Sequence, residues 1–192
     1  MPVRQTETKN YLKEALCLLI AEKNFESISV SDLTQKAGIN RSTSYLHYKD
    51  KTDMITQFKN DLFDGLYDIL NDKKIYTDTE HVLKQTLTYI TDNQEFVTAL
   101  VNSQQLNFSQ LLKDFIFQVL TSISHFQDII LAHYDIPYPY ALEVYLASIE
   151  AIITYWISHG CQENNKEIAA IILAVIGQAK PIKDTPKSDR GI

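Results

Sequence analysis

Between Ser29 and Lys51 the chain reads S-V-S-D-L-T-Q-K-A-G-I-N-R-S-T-S-Y-L-H-Y-K-D-K, and the side chains most able to do chemistry there are Arg41, Ser42, Thr43, Tyr45, His47 and Lys51. The chemistry these side-chain types suit is recognition of a DNA duplex. Arg41 can bond guanine O6 and N7, Ser42 and Thr43 can reach a base or a phosphate, and Tyr45 can touch a thymine methyl or a phosphate. Lys51 would add its ammonium to the free amides of a helix start, a combination suited to phosphate.

Two short helices must hold these groups. Ser29 is a helix N-cap with Asp32 three residues on to answer it, and Leu33 and Ala37 supply the apolar face of the helix that follows. Gly38 falls where the chain must reverse, since a residue without Cβ takes the left-handed conformation that closes a helix. Ile39 plugs the angle between the helices, Asn40 caps the next one over about 41–48, and Asp50 caps a third. With Leu33, Ala37 and Ile39 inward, Arg41, Ser42, Thr43, Tyr45 and His47 point mostly outward. Such a pair also occurs in purely structural bundles, and the side chains of the second helix favour the DNA reading.

The segment I-S-V-S-D-L-T-Q-K-A-G-I-N-R-S-T-S-Y-L-H-Y-K-D-K-T-D-M-I closely resembles the DNA-binding signature of TetR-type regulators. Ala37-Gly38, Thr43, Tyr45, His47, Tyr48 in place of the usual Phe, and Lys51 all fall in register, and the likeness extends over about residues 8–58. The resemblance implies that Tyr45, His47 and Lys51 grip phosphates while Arg41, Ser42 and Ser31 read bases. The family usually carries Phe or Leu where this chain has Ser44, a position expected to pack inside the head.

A net charge of −6 argues against nucleic acid until it is divided. Residues 1–60 hold nine Lys/Arg against seven Asp/Glu, whereas 61–192 hold nine against seventeen. A slightly basic head on an acidic body fits a DNA reader whose body does something else. The histidines His47, His81, His125, His133 and His159 form no metal-ligand pattern, and no phosphate-binding glycine loop or nucleophile elbow is present. Neither a cofactor, a metal nor an enzymatic activity is expected. Cys17 and Cys161 are too far apart in sequence for a redox motif, which makes a reducing cytoplasm the natural compartment. The N-terminal residues show no basic-then-apolar run of the kind expected of a signal peptide, and the longest apolar run, Ile168 to Ile176, is nine residues, far below the roughly 20 of a membrane span.

Composition and periodicity predict an all-α chain. Residues 8–23 form a first amphipathic helix ended by Asn24, with Phe25 and Ile28 anchoring the connection to the head. One apolar stripe from Thr52 to Lys73 predicts a long linking helix, the natural lever for moving the head. Further helices are predicted over 79–93, 94–103, 108–131, 140–159 and 165–177, giving about nine in all. The domain limits expected are a helix-turn-helix head over 1–51, a ligand-binding and dimerisation body over 52–179, and a polar, disordered tail over 180–192.

The last two helices are apolar nearly all round, so they need more cover than one body supplies, and a second copy is the economical source. Leu146, Ile149, Ile153, Trp156, Ile168, Ile171, Ile172 and Val175 are the expected dimer contacts. TetR-type proteins are similar in pairing their last two long helices into a four-helix interface. Phe63, Tyr67, Phe96, Phe115 and Tyr155 are candidate linings for an apolar or aromatic effector, with plain core as the competing role. The expected function is a homodimeric regulator, a repressor by default, on a pseudo-palindromic operator and released by a small molecule. An alternative is a helical coactivator working through a protein partner. It is suggested by Y-W-I-S-H-G-C-Q-E-N-N-K-E-I-A, which is similar to a subgroup from low-GC Gram-positive bacteria that includes dihydroxyacetone-related activators.

Overall fold

The computed structural model describes residues 3–23, 27–71, 78–103 and 106–176, and all regular structure in them is helical. The elements are α1 Val3–Glu22, α2 Val30–Lys36, α3 Arg41–Tyr45, α4 Lys51–Leu70, α5 Thr79–Asp92, α6 Gln94–Asn102, α7 Phe108–Ser122, α8 Phe126–His133, α9 Tyr138–Ser158 and α10 Asn165–Ile176. The all-α expectation is borne out. The helix end at Asn24, the anchor at Phe25 and the tail 180–192 lie outside the described residues.

Leu12, Ala15, Leu16 and Leu19 recur at helical spacing and are buried, which fixes the inward face of α1 against α2 and α6. Lys23 pairs with Asp32 at 2.9 Å and Lys36 with Glu22 at 2.7 Å, tying the end of α1 to α2. Along α4, Met54, Ile55, Phe58, Leu62 and Leu66 are buried on one stripe, so the helix runs from the head into contact with α5 and α7. A single apolar core runs without interruption from Leu12 to Ile172.

One predicted helix is two. The apolar stripe over 108–131 keeps its spacing, yet the chain breaks between α7 and α8, whose axes are bent by 113°. The Thr121 and Ser122 hydroxyls donate to the carbonyls of Gln118 and Val119, offering the backbone an alternative to the helical ladder. Ile123 then turns extended and His125 enters the left-handed region at φ 59°. This break accounts for ten helices among the described residues in place of about nine.

α9 starts at Tyr138, with Pro139 in its first turn where a missing N–H is harmless, and it packs on α6, α7, α8 and α10. By length and hydropathy it is the one described helix that would suffice to cross a membrane. Its Trp156 is 1% exposed within the body and donates from Nε1 to the Glu163 carbonyl at 3.0 Å.

Candidate nucleic-acid interface

The turn before α3 is closed in two hydrogen bonds. Gly38 N–H donates to Gln35 and Ile39 N–H to Thr34, at 3.2 and 3.0 Å, with Gly38 at φ +67°. This is the Schellman arrangement expected of a helix end with a left-handed glycine. The Ser29 hydroxyl accepts from Asp32 N–H while Asp32 accepts from Ser29 N–H, completing the capping box at the start of α2. The Ser29 amide, followed by Lys23, holds the Asp32 carboxyl down at about 2. Asn40 then caps α3 by accepting from Ser42 N–H at 3.0 Å.

At about 100° per residue, Ser44 and Tyr48 share one face of the turn-and-a-half that follows, and Ser42 and Leu46 share the opposite one. Ser44 and Tyr48 are buried, which sets the inward direction. Ser31, Arg41, Ser42 and Tyr45 are exposed, and Thr43, His47 and Lys51 are half-buried. Four of the seven residues expected from sequence are thus open to solvent, and the other three are partly covered. Leu46 was missed. It is 82% exposed, and no large apolar side chain among the described residues is more so. Its four-residue spacing from Ser42 was the available signal.

Arg41 lies along Tyr45. Its Nη2 and Nε donate to the Tyr45 hydroxyl at 3.0 and 3.3 Å, and the guanidinium carbon stands 5.6 Å from the ring centroid. A phenol that accepts from a guanidinium keeps its own proton available for an acceptor such as a phosphate oxygen. At the start of α4 the Asp53 amide is taken by the Asp50 carboxylate at 2.8 Å, and Asp53 accepts from Lys49 N–H at 2.8 Å. That contact, followed by one from Gln57, lowers the Asp53 pKa. The helix start expected to assist Lys51 thus already carries two carboxylates.

Ser44, where an aromatic or leucine was expected, is 4% exposed and donates to the Arg41 carbonyl at 2.8 Å, so its polar atom is satisfied. A void of only about 10 Å³ lies beside it, lined also by Leu12, Leu33 and Tyr48. The Tyr48 hydroxyl is buried without a hydrogen-bond partner, and burial raises its pKa. Tyr48 packs edge-on to Phe58 at 5.5 Å and Phe58 edge-on to Phe96 at 6.1 Å. Lys13 from α1 stands 5.4 Å from the Phe96 centroid and donates to Asn93 at 2.6 Å. Next to it, burial holds the Cys17 thiol up at about 11, which leaves it a poor nucleophile.

The body holds a partly open apolar cavity of about 130 Å³ between α4, α5, α7, α9 and α10. Of the five candidate lining residues, Phe115 alone lines it. Phe63 packs on Phe115 at 5.1 Å, Phe96 belongs to the contact with the head, Tyr67 is partly buried against the core, and Tyr155 is exposed and stacked on His159 at 3.8 Å. The walls are mostly aliphatic, with Leu66, Leu87, Leu112, Ile153 and Ile172 among them. Of the eight residues expected to meet a second copy, Leu146, Ile149, Ile153, Trp156, Ile168 and Ile172 are buried inside their own chain, and Ile171 and Val175 are exposed. The exposed neighbours on α9 are Tyr140, Val144 and Tyr155. Among the described residues no cluster of His, Cys, Asp and Glu stands close enough to hold a metal ion.

Known proteins share this arrangement. Residues 14–58 match the family described as "Bacterial regulatory proteins, tetR family", and residues 77–178 match "Transcriptional regulator C-terminal region". The chain is 25% identical over 182 residues to an uncharacterized HTH-type transcriptional regulator, YxbF, of Bacillus subtilis (strain 168). That match covers 88% of this chain but 44% of the relative, so the chain spans less than half the relative's length. In fold it is similar to the dihydroxyacetone kinase operon activator DhaS, with a TM-score of 0.62 at 20% identity over 88% of this chain and 93% of that one. It is also similar to a TetR transcriptional regulator from Streptococcus agalactiae 2603V, with a TM-score of 0.59 at 22% identity over 92% and 98% of the two chains. With a helix-turn-helix unit at one end and the matching regulator body at the other, the chain belongs to the TetR family of bacterial transcriptional regulators.

Proposed function

We propose that the chain binds a pseudo-palindromic operator as a homodimer, represses by occluding a promoter, and is released when a small apolar molecule occupies the body. Residues 1–51 act as the DNA-reading head and 52–179 as the regulatory and dimerisation body. The observation that carries this is the outward face of α3. It presents Arg41, Ser42 and Tyr45 to solvent while Ser44 and Tyr48 anchor the opposite face. Arg41, Ser42 and Ser31 read base edges; Thr43, Tyr45, His47 and Lys51 hold phosphates and set the register.

Dimerisation supplies the second recognition helix, and symmetry makes the operator two-fold. The face available for it is the exposed stripe Tyr140, Val144, Tyr155, Ile171 and Val175. The cavity is the effector site. The Thr86 hydroxyl on its wall is already spent on the Val82 carbonyl at 2.9 Å, so the site favours a neutral apolar guest. Leu66 and Leu70 of α4 line it, and Met54, about 18 Å up the same helix, packs against Leu12, Leu33 and Tyr48 of the head, so a guest that shifts α4 shifts the head.

A second reading, a coactivator working through a protein partner, is favoured by Ile129, Leu131 and Ile136, which are exposed beside the α9–α10 stripe. Purified protein titrated onto DNA from upstream of its own gene separates the two. Sequence-dependent binding at micromolar protein, weakened roughly 10-fold or more by Arg41→Ala, supports the operator reading. Indifference to sequence supports the partner reading.

A further inference from the structure

Leu46 is the side chain that the phosphate and guanine contacts leave unexplained. A lone exposed leucine on a surface is ordinary. This one is the C-cap of α3, one residue past its end, four residues from Ser42 on its outward side and opposite buried Ser44 and Tyr48. Its position is held: the backbone is still helical at φ −73° and ψ −21°, and Leu46 N–H donates to the Thr43 carbonyl at 3.2 Å. Around it the exposed side chains are polar, with Ser42, Tyr45 and Lys49 as neighbours along the turn. A helix that enters a major groove with Ser42 toward the bases brings Leu46, about 40° round the axis from it, to the floor as well. Arg41, about 140° from Leu46, reaches in from the side.

The floor offers little to a leucine. Base edges there are hydrogen-bond donors and acceptors, and the apolar group among them is the thymine 5-methyl. A leucine over any other edge would strip water from a donor or acceptor and return no hydrogen bond, which disfavours those bases. Building on the operator reading above, we propose that Leu46 is a specificity-determining residue that selects a thymine in each half-site through its methyl group. Arg41 and Leu46 then read different chemistry from one helix, a polar guanine edge and an apolar thymine edge.

The test uses the full chain and a duplex selected for binding from a randomised library. Each thymine is replaced in turn by 2′-deoxyuridine, which removes the methyl and nothing else. Wild type is expected to lose about fourfold in affinity at one thymine per half-site, the value of a single methyl contact. Leu46→Ala is expected to bind the parent duplex more weakly, to keep the same salt dependence, and to lose all distinction between thymine and uracil at that position. A wild type that tolerates every replacement overturns the proposal, as does an equal loss at the same thymine in Leu46→Ala. Failure to select any preferred duplex overturns the operator reading itself, and this inference with it. Because Leu46 is exposed, an unchanged melting temperature in Leu46→Ala is the expected control.

Discussion

Ser44 and Tyr48 show how one departure is absorbed by its neighbour. A small hydroxyl sits where the family carries a large apolar side chain, and the void beside it is only about 10 Å³, so Tyr48 and the surrounding leucines have closed over the site. The Tyr48 hydroxyl is left without a partner in the process. A buried unpaired hydroxyl is destabilising, because it gives up its water and receives nothing. Tyr48→Phe is therefore expected to stabilise the protein by about 1 kcal/mol in urea unfolding, with DNA affinity unchanged. A loss of stability would mean that the hydroxyl has a partner in solution. The same residue-level logic separates Arg41 from Leu46. An arginine in this register is proposed as a base reader from its sequence position alone. The role of the leucine needs the face on which it stands, and that face is defined by the burial of Ser44 and Tyr48.

At the scale of elements, the start of α2, the turn at Gly38 and the starts of α3 and α4 were all legible in the sequence, since each is set by hydrogen bonds within a few residues. Gly38→Ala tests one of them. An added Cβ meets no atom within 4 Å there, so the whole penalty comes from φ +67°, and a loss of roughly 1–2 kcal/mol is expected from thermal or urea unfolding. A neutral result would place the strain elsewhere. The break between α7 and α8 was not legible in the same way. No glycine or proline marks it, and the apolar stripe continues across it because both halves face the same core. What breaks the helix is a short Thr-Ser-Ile-Ser-His run whose first two hydroxyls bond backwards to the main chain. The faces of α9 and α10 were also hidden. Helices apolar on nearly every side carry no periodicity to say which side the chain itself covers, and α6, α7 and α8 cover the one that holds Leu146, Ile149 and Trp156.

For the whole molecule, that assignment changes which substitutions separate two copies. Charges at Val144 and Ile171, both exposed, are expected to give a species of 22.0 kDa by sedimentation while wild type sediments at twice that mass, with little change in melting temperature. A wild type at 22.0 kDa at micromolar concentration would contradict the dimer. The cavity makes its own prediction. An apolar cavity of about 150 Å³ takes up benzene, and the partly open one here measures about 130 Å³. Benzene at millimolar concentration is expected to raise the melting temperature and benzoate to leave it unchanged, because the wall carries no cationic side chain to compensate a buried carboxylate. Equal effects of the two would argue that the effector binds elsewhere.

The central claim is that a weakly basic face on an acidic chain reads DNA by sequence, and its salt dependence tests this most directly. Binding to the upstream duplex and to a scrambled duplex of the same composition is measured from about 50 to 200 mM salt. Both affinities should fall steeply on a log–log plot through phosphate contacts, with the upstream duplex tighter by about 1,000-fold or more at every salt concentration. Two coincident lines, or no binding at the lowest salt, would contradict the account.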